Sequence, residues 1–188
     1  MATVETTRGP IDVEELGRTL IHEHFRTIDE AVRFQFPHLY DPAAEWDAAI
    51  SDANAVKGQG VQTVVEPSAM FLFRDAAFSR RVAEESGLNV VLATGIYTYD
   101  HLPQALLHRD EDALAAIFVH ELENGIQDTG IKPAFIKCAA DEPGVTPNVE
   151  KVHRAAARAS NQTGKPIMAH SRPASGTGPE QMRIFAEE

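Results

Sequence analysis

Apolar and polar positions along the chain fall into two alternating kinds of segment. Short β-branched runs occur at Thr19 to His24, Val61 to Glu66, Asn89 to Tyr97, Ala134 to Ala140 and Pro166 to His170. Between them lie segments of helical period, at Pro42 to Gln59, Ala76 to Ser86, Asp110 to Asn124 and Asn148 to Thr163. The last three precede Gly87, Gly125 and Gly164, and glycine just past a helix favours a left-handed cap. Strand and helix in strict alternation predict a parallel sheet with helical crossovers. No short repeat and no low-complexity linker interrupts the pattern, so residues 1–188 read as a single domain.

Two topologies satisfy this alternation, the doubly wound open sheet and the (β/α)8 TIM barrel. An open nucleotide-binding sheet would place a glycine-rich loop after its first strand. Here the first run delivers His22-Glu23-His24-Phe25-Arg26 instead, which favours the barrel. The strand centres recur at roughly 36 residues, so five units are visible and three more would take about 110 residues. The predicted fold is therefore an α/β TIM barrel present only in part. The C-terminus agrees. Pro179 to Glu188 opens as a helix and stops at Glu187-Glu188, two anions where the helix dipole prefers cations. That ending predicts a chain cut in mid-architecture, with strand edges left open.

Composition narrows the function classes. With 188 residues, 43% of them apolar, the chain can bury a sizeable core. A net charge of −11 without a basic run argues against nucleic acid as partner. The single cysteine, Cys138, excludes an intrachain disulfide framework and fits a reducing cytoplasm. The N-terminus lacks the charged-then-apolar order of a signal peptide, and no run has the length of a membrane helix. The expectation is a soluble cytoplasmic protein.

Candidate chemistry collects at the ends of the predicted strands. In a strand, His22 and His24 would project to one face as two neighbouring imidazoles, half of a divalent-metal site. A His-x-His pair also arises by chance among eight histidines. Lys137 interrupts the otherwise apolar Phe135-Ile136-Lys137-Cys138-Ala139-Ala140. It either snorkels from a strand end or sits inside the barrel near its rim. In the second case desolvation favours the neutral amine, which reacts with carbon dioxide to give a carbamate, an anionic two-oxygen ligand. Cys138, one residue on, should face the helices as core. His170 ends the fifth run, as a ligand or as a hydrogen-bonding rim residue.

Tyr97 and Tyr99 follow the third run, and their phenols can meet a substrate oxygen or pack under a loop. Asp141 and Glu142 precede Pro143-Gly144, a pattern favouring a turn over catalysis. Glu66 before Pro67 is ambiguous in the same way. His38, His101, His108, His120 and His153 read as surface residues. Arg172 and Gly176-Thr177-Gly178 are weaker substrate-contact candidates.

These residues resemble the phosphotriesterase family of the amidohydrolase superfamily, especially its phosphotriesterase-like lactonase branch. The resemblance runs from Thr7-Arg8-Gly9-Pro10-Ile11 to Ile184-Phe185-Ala186-Glu187-Glu188. Its most specific pieces are Thr19 to His24, Thr94-Gly95-Ile96-Tyr97, Gly130 to Lys137 with Asp141 to Gly144, and Ile167 to Ser171 with Gln181 to Glu188. The resemblance implies two divalent metal ions at the barrel mouth, bridged by carboxylated Lys137. His22 and His24 would hold the more buried ion and His170 the more exposed one. Mixed nitrogen and oxygen ligands admit zinc first, then cobalt, manganese or iron. A hydroxide held between the ions would attack a lactone carbonyl, as in N-acyl homoserine lactones, or an organophosphate triester. Tyr97 falls where lactonases of this branch place a tyrosine beside that nucleophile. The family often forms homodimers.

The same resemblance implies a histidine on a sixth strand and an aspartate on an eighth, neither within these residues. The loop after strand eight is absent too, and Asp100 to His108 lacks the aromatic cluster of lactonases. Two readings follow. One is a binuclear metal-dependent hydrolase. The other is a truncated, catalytically silent chain or a non-catalytic metal-binding or association module.

Overall fold

The computed structural model describes residues 2–188. Strands β1 (Thr3–Thr6) and β2 (Gly9–Asp12) form an antiparallel hairpin, pairing Thr6 with Gly9 across a two-residue turn. This hairpin is absent from the pattern read above, because four-residue strands of mixed polarity carry little periodic signal. The main sheet holds β3 (Thr19–Leu20), β4 (Thr63–Glu66), β5 (Asn89–Gly95), β6 (Phe135–Ala140) and β7 (Ile167–Ser171). All neighbours are parallel, and their order in the sheet is their order in the chain. A doubly wound sheet requires a reversal of that order, and none occurs. The architecture is a TIM barrel present in part, as five βα units.

Helices α1 (Glu30–Gln35) and α2 (Pro42–Gly58) follow β3, and α3 (Ala76–Ser86) follows β4. The short α4 (Gln104–Leu107) and α5 (Glu111–Asn124) follow β5, α6 (Pro147–Thr163) follows β6, and α7 (Gly178–Glu187) follows β7. Side-chain oxygens of Asp41, Asp75, Asp110 and Thr146 accept first-turn amides and fix where the four long crossover helices begin. Gly87 and Gly164 take the predicted left-handed conformation, but Gly125, at φ 103° and ψ 163°, does not. It serves the close approach of Gly130 instead, whose Cα would lie 2.8 Å from a side-chain carbon there.

Alternation along the strands divides the interior. On β5, Val90 and Leu92 join Val64, Val82 and Leu88 beneath α2 and α3. On β6, Ile136 and Cys138 pack with Leu114, Phe118 and Val152 of α5 and α6, as expected for Cys138. The opposite faces of the same strands carry Val91, Ala93 and Phe135, packed with Val65 and Met168 inside the barrel wall. Lys137 has the parity of Phe135, which turns it towards the barrel interior.

One expectation gains detail here, and another is corrected. Glu187 and Glu188 do not oppose the α7 terminus unaided. Arg154 of α6 meets both, at 2.6 and 3.1 Å, and Arg158 meets Glu188 at 2.9 Å. These arginines hold both carboxyls below the ordinary glutamate range. His153 is not a surface residue but fully buried, with Nδ1 2.8 Å from the Val149 carbonyl and Nε2 2.9 Å from Gln181. Helical period places it with Val149, Val152 and Ala156, which the sequence already shows as the apolar face of α6. Among the described residues, no helix is long and apolar enough to cross a membrane.

Candidate functional site

The site lies at the carboxyl ends of the strands, where barrel chemistry gathers. Its first part departs from expectation. Strand β3 ends at Leu20, so His22 and His24 stand on an irregular segment and not on a strand. At the sheet edge β4 holds this segment, through Glu23 N–H donating to the Val65 carbonyl at 3.1 Å. The two imidazoles nevertheless meet, with ring centres 5.4 Å apart.

The orientation of His24 comes from side chains. Its Nδ1 lies 2.8 Å from Glu66 Oε1 and 3.0 Å from Ser68 Oγ, and Glu66 Oε1 also accepts the Ser68 amide. An Nδ1–H donated to this carboxylate leaves the lone pair on Nε2, the arrangement that suits a metal ligand. Burial lowers the pKa of His22 to about 4, helped by the charges of Lys137, His24 and His170, so its imidazole is neutral at pH 7.

The second part lies on interior strands. Lys137 pairs with Gly95 on one side and Met168 on the other. A side-chain carbon at Gly95, where φ is 116°, would fall 1.9 Å from the Lys137 carbonyl oxygen, so only glycine lets β5 and β6 approach here. The Lys137 side chain is completely buried rather than snorkelling, and among the described residues its Nζ has no hydrogen-bond partner. Burial brings its pKa down to about 8. Its charge acts on both His22 and His170 and lowers each.

His170 is the penultimate residue of β7, with its Nε2 3.4 Å from Asp141 Oδ2 and its ring 5.4 Å from that of Tyr97. Desolvation pushes the His170 pKa down, opposed by Asp141. Tyr97 donates its hydroxyl to Asp141, and burial with that carboxylate raises the phenol's pKa above its ordinary value. Arg172 reaches Glu142 at 3.1 Å and Asp141 at 3.6 Å.

Asp141 opens the expected turn, its carbonyl accepting the Gly144 amide at 2.9 Å, and is at the same time a buried hub touching Tyr97, His170 and Arg172. Its place directly after the last residue of β6 was the available signal, masked by the turn pattern of Pro143-Gly144. Ser68 carried no signal at all, since its role depends on the chain reversing after β4.

His22, His24, His170 and Tyr97 line one cleft of about 440 Å³, walled by Phe71, Leu72 and Tyr99. His101 also lines it, from an exposed position. Among the described residues, no three His, Cys, Asp or Glu side chains converge closely enough to hold one metal ion. The donors stand as pairs, His22 with His24 and His170 with Asp141. An orphaned, partly deprotonated amine is the remaining group. This set fits metal binding only if Lys137 acquires oxygen ligands, as a carbamate would supply.

Fold and site together define part of a TIM barrel whose strand ends carry a nitrogen-rich site. The chain belongs to the Phosphotriesterase family, matching it over residues 2–188. It is 47% identical over 181 residues to an aryldialkylphosphatase of Saccharolobus solfataricus, which covers 96% of this chain and 58% of that protein. It is 40% identical over 196 residues to a phosphotriesterase homology protein of Mycobacterium tuberculosis, covering the whole chain and 60% of the relative. The solved structure of the phosphotriesterase from Mycobacterium tuberculosis superposes with a TM-score of 0.92 at 39% identity, over 99% of this chain and 60% of that one. The chain thus spans about three fifths of the length of these relatives.

Proposed function

We propose that the chain carries the metal-binding half of a binuclear hydrolase acting on lactones, and secondarily on organophosphate triesters. The observation that carries this reading is the buried, unpartnered Lys137 Nζ on the interior face of a sheet whose strand ends hold three imidazoles. With a pKa near 8, a substantial minority of Lys137 is neutral at pH 7.5. The free amine forms a C–N bond to carbon dioxide and releases one proton, which turns an uncompensated buried cation into an anionic ligand. His22 and His24 would hold one cation, His170 the other, and carboxylated Lys137 both. Two bound divalent cations supply Lewis-acid polarisation of the ester oxygen and a more acidic water, and zinc suits these donors.

The chain's own residues then orient the ester. Phe71, Leu72 and Tyr99 offer an apolar wall for a ring or acyl body. Tyr97 keeps its proton, because burial and Asp141 oppose ionisation, and with that proton donated to Asp141 its Oη offers a lone pair that would accept a substrate N–H or a water O–H. Asp141 holds Tyr97 and His170 against each other. A second reading, metal binding without turnover, draws on the donors standing in pairs among the described residues, so that each ion would be held incompletely even with carboxylated Lys137.

The test is incubation of the purified chain with zinc and 13C-labelled bicarbonate. The hydrolase reading expects a carbamate carbon signal and about two zinc ions per chain. It also expects chelator-sensitive cleavage of an N-acyl homoserine lactone. Signal and zinc without cleavage select the second reading, and loss of neither in K137M overturns both.

A further inference from the structure

The turn from Met70 to Asp75 separates two cavities. Phe71 and Leu72 face the cleft described above, whereas Met70, Phe73 and Arg74 line a second cavity of about 290 Å³ behind it. Phe34, 74% exposed, and Phe118, buried on α5, complete its aromatic walls.

The turn is held in an unusual conformation. Phe71 and Phe73 have φ values of 76° and 54°, a region in which bulky side chains are strained. Glu30 keeps it there. Its carboxylate accepts the Phe71 amide at 3.1 Å, and the backbone N–H groups of Phe73 and Arg74 also act on it.

Glu30 is also the carboxylate of this cavity that forms no ion pair among the described residues, although the charge of Arg74, committed to Glu121, acts on it. Arg74 is bound to both oxygens of Glu121, at 2.6 and 2.7 Å, and Asp75 pairs with Arg26 at 2.7 Å. Gln127 is spent on the Ala76 amide and the Arg74 carbonyl. What remains is one half-buried carboxylate facing aromatic walls. That combination favours a cation with an apolar body, through charge-assisted hydrogen bonding and through ring faces. Burial raises the Glu30 pKa, which is the direction a bound cation would reverse.

We propose that this second cavity binds a small apolar ammonium ion, a protonated amine on an aromatic or branched aliphatic body. Its occupancy is read in the cleft through the Met70–Asp75 turn. The ammonium competes with the backbone amides for Glu30, so filling the cavity shifts Phe73 and, through the strained turn, Phe71 and Leu72. Nothing in this depends on hydrolase activity, and its failure would leave the metal reading untouched.

The experiment is an amide 1H–15N titration of the full chain with phenethylamine at pH 7, beside phenylacetate, which has the same body and the opposite charge. Saturable shifts are expected at Phe73, Arg74 and Gln127, and at Phe71 and Leu72 across the turn, with phenylacetate silent. E30Q should weaken binding roughly tenfold to a hundredfold, the effect of losing one charged hydrogen bond. Should E30Q fail to fold, I117W decides, because Ile117 is a half-exposed cavity residue whose enlargement plugs the space. Equal binding of phenylacetate, or amine binding that survives I117W, would overturn the site. Shifts that stop at Phe73 would overturn the coupling.

Discussion

The two halves of the site are built differently. Lys137 sits on a strand paired on both sides and completely buried, so its position is set by the backbone ladder. His22 and His24 lie beyond a two-residue edge strand, and His24 is placed by the side chains of Glu66 and Ser68. One half is specified by sheet geometry and the other by tethers. The contrast teaches that the interior half should fail globally when disturbed, and the edge half locally.

The sharpest way to break the interior half is G95A. Its Cβ would collide with the Lys137 carbonyl at a φ that disfavours alanine, and a loss of about 3–5 kcal/mol is expected by urea unfolding. The next effect separates the halves by pH. Lys137 is lowered from 10.5 to about 8, so the folded chain binds fewer protons than the unfolded chain between these values. Stability therefore rises with pH across that window. The burial penalty, complete below pH 8, is about 3 kcal/mol at most. In carbon dioxide-free buffer K137M should abolish that slope and exceed wild type at neutral pH.

The edge half has its own window. His22 is lowered from 6.5 to about 4, so its contribution is complete above pH 6.5 and fades as pH falls towards 4. H22A should remove a shallow acid slope and leave the alkaline one intact.

Cutting the tether with E66A should cost about 1–3 kcal/mol, since the His24 Nδ1–H loses its carboxylate. Zinc affinity should fall roughly tenfold to a hundredfold, read by chelator competition, with the Lys137 slope unchanged. The smallest expected effect is Y97F, about 1 kcal/mol by thermal unfolding, from one lost hydrogen bond to Asp141.

Much of this was legible in the sequence, for reasons that track the same contrast. Strands β4 to β7, their crossover helices and the inward parity of Lys137 follow from period and burial, which repeat along the chain. Cys138 as core and His170 at a strand end follow likewise. The true end of β3 did not, because edge pairing depends on one neighbour and leaves no periodic trace. The turn opened by Asp141 was legible, but its burial against Tyr97, His170 and Arg172 was not, because those contacts come from distant parts of the chain. His153 was misjudged by residue type, although its helical register with Val149 and Val152 placed it inside. Phe71 and Phe73 in left-handed backbone contradict their own propensity, and what holds them is tertiary, the Glu30 carboxylate together with the bridge of Met70 to Ile96.

The unreversed strand order also bears on how the chain reaches this state. Thr19 pairs with Thr63, Thr63 with Asn89, Ala93 with Phe135, and Ile136 with Ile167, so every strand's partner is the next one synthesised. Each closure spans one crossover and never leaps over a unit already in place, which keeps the entropic cost of every loop modest. On the ribosome such a wall can grow one unit at a time, each docking on the last as it emerges.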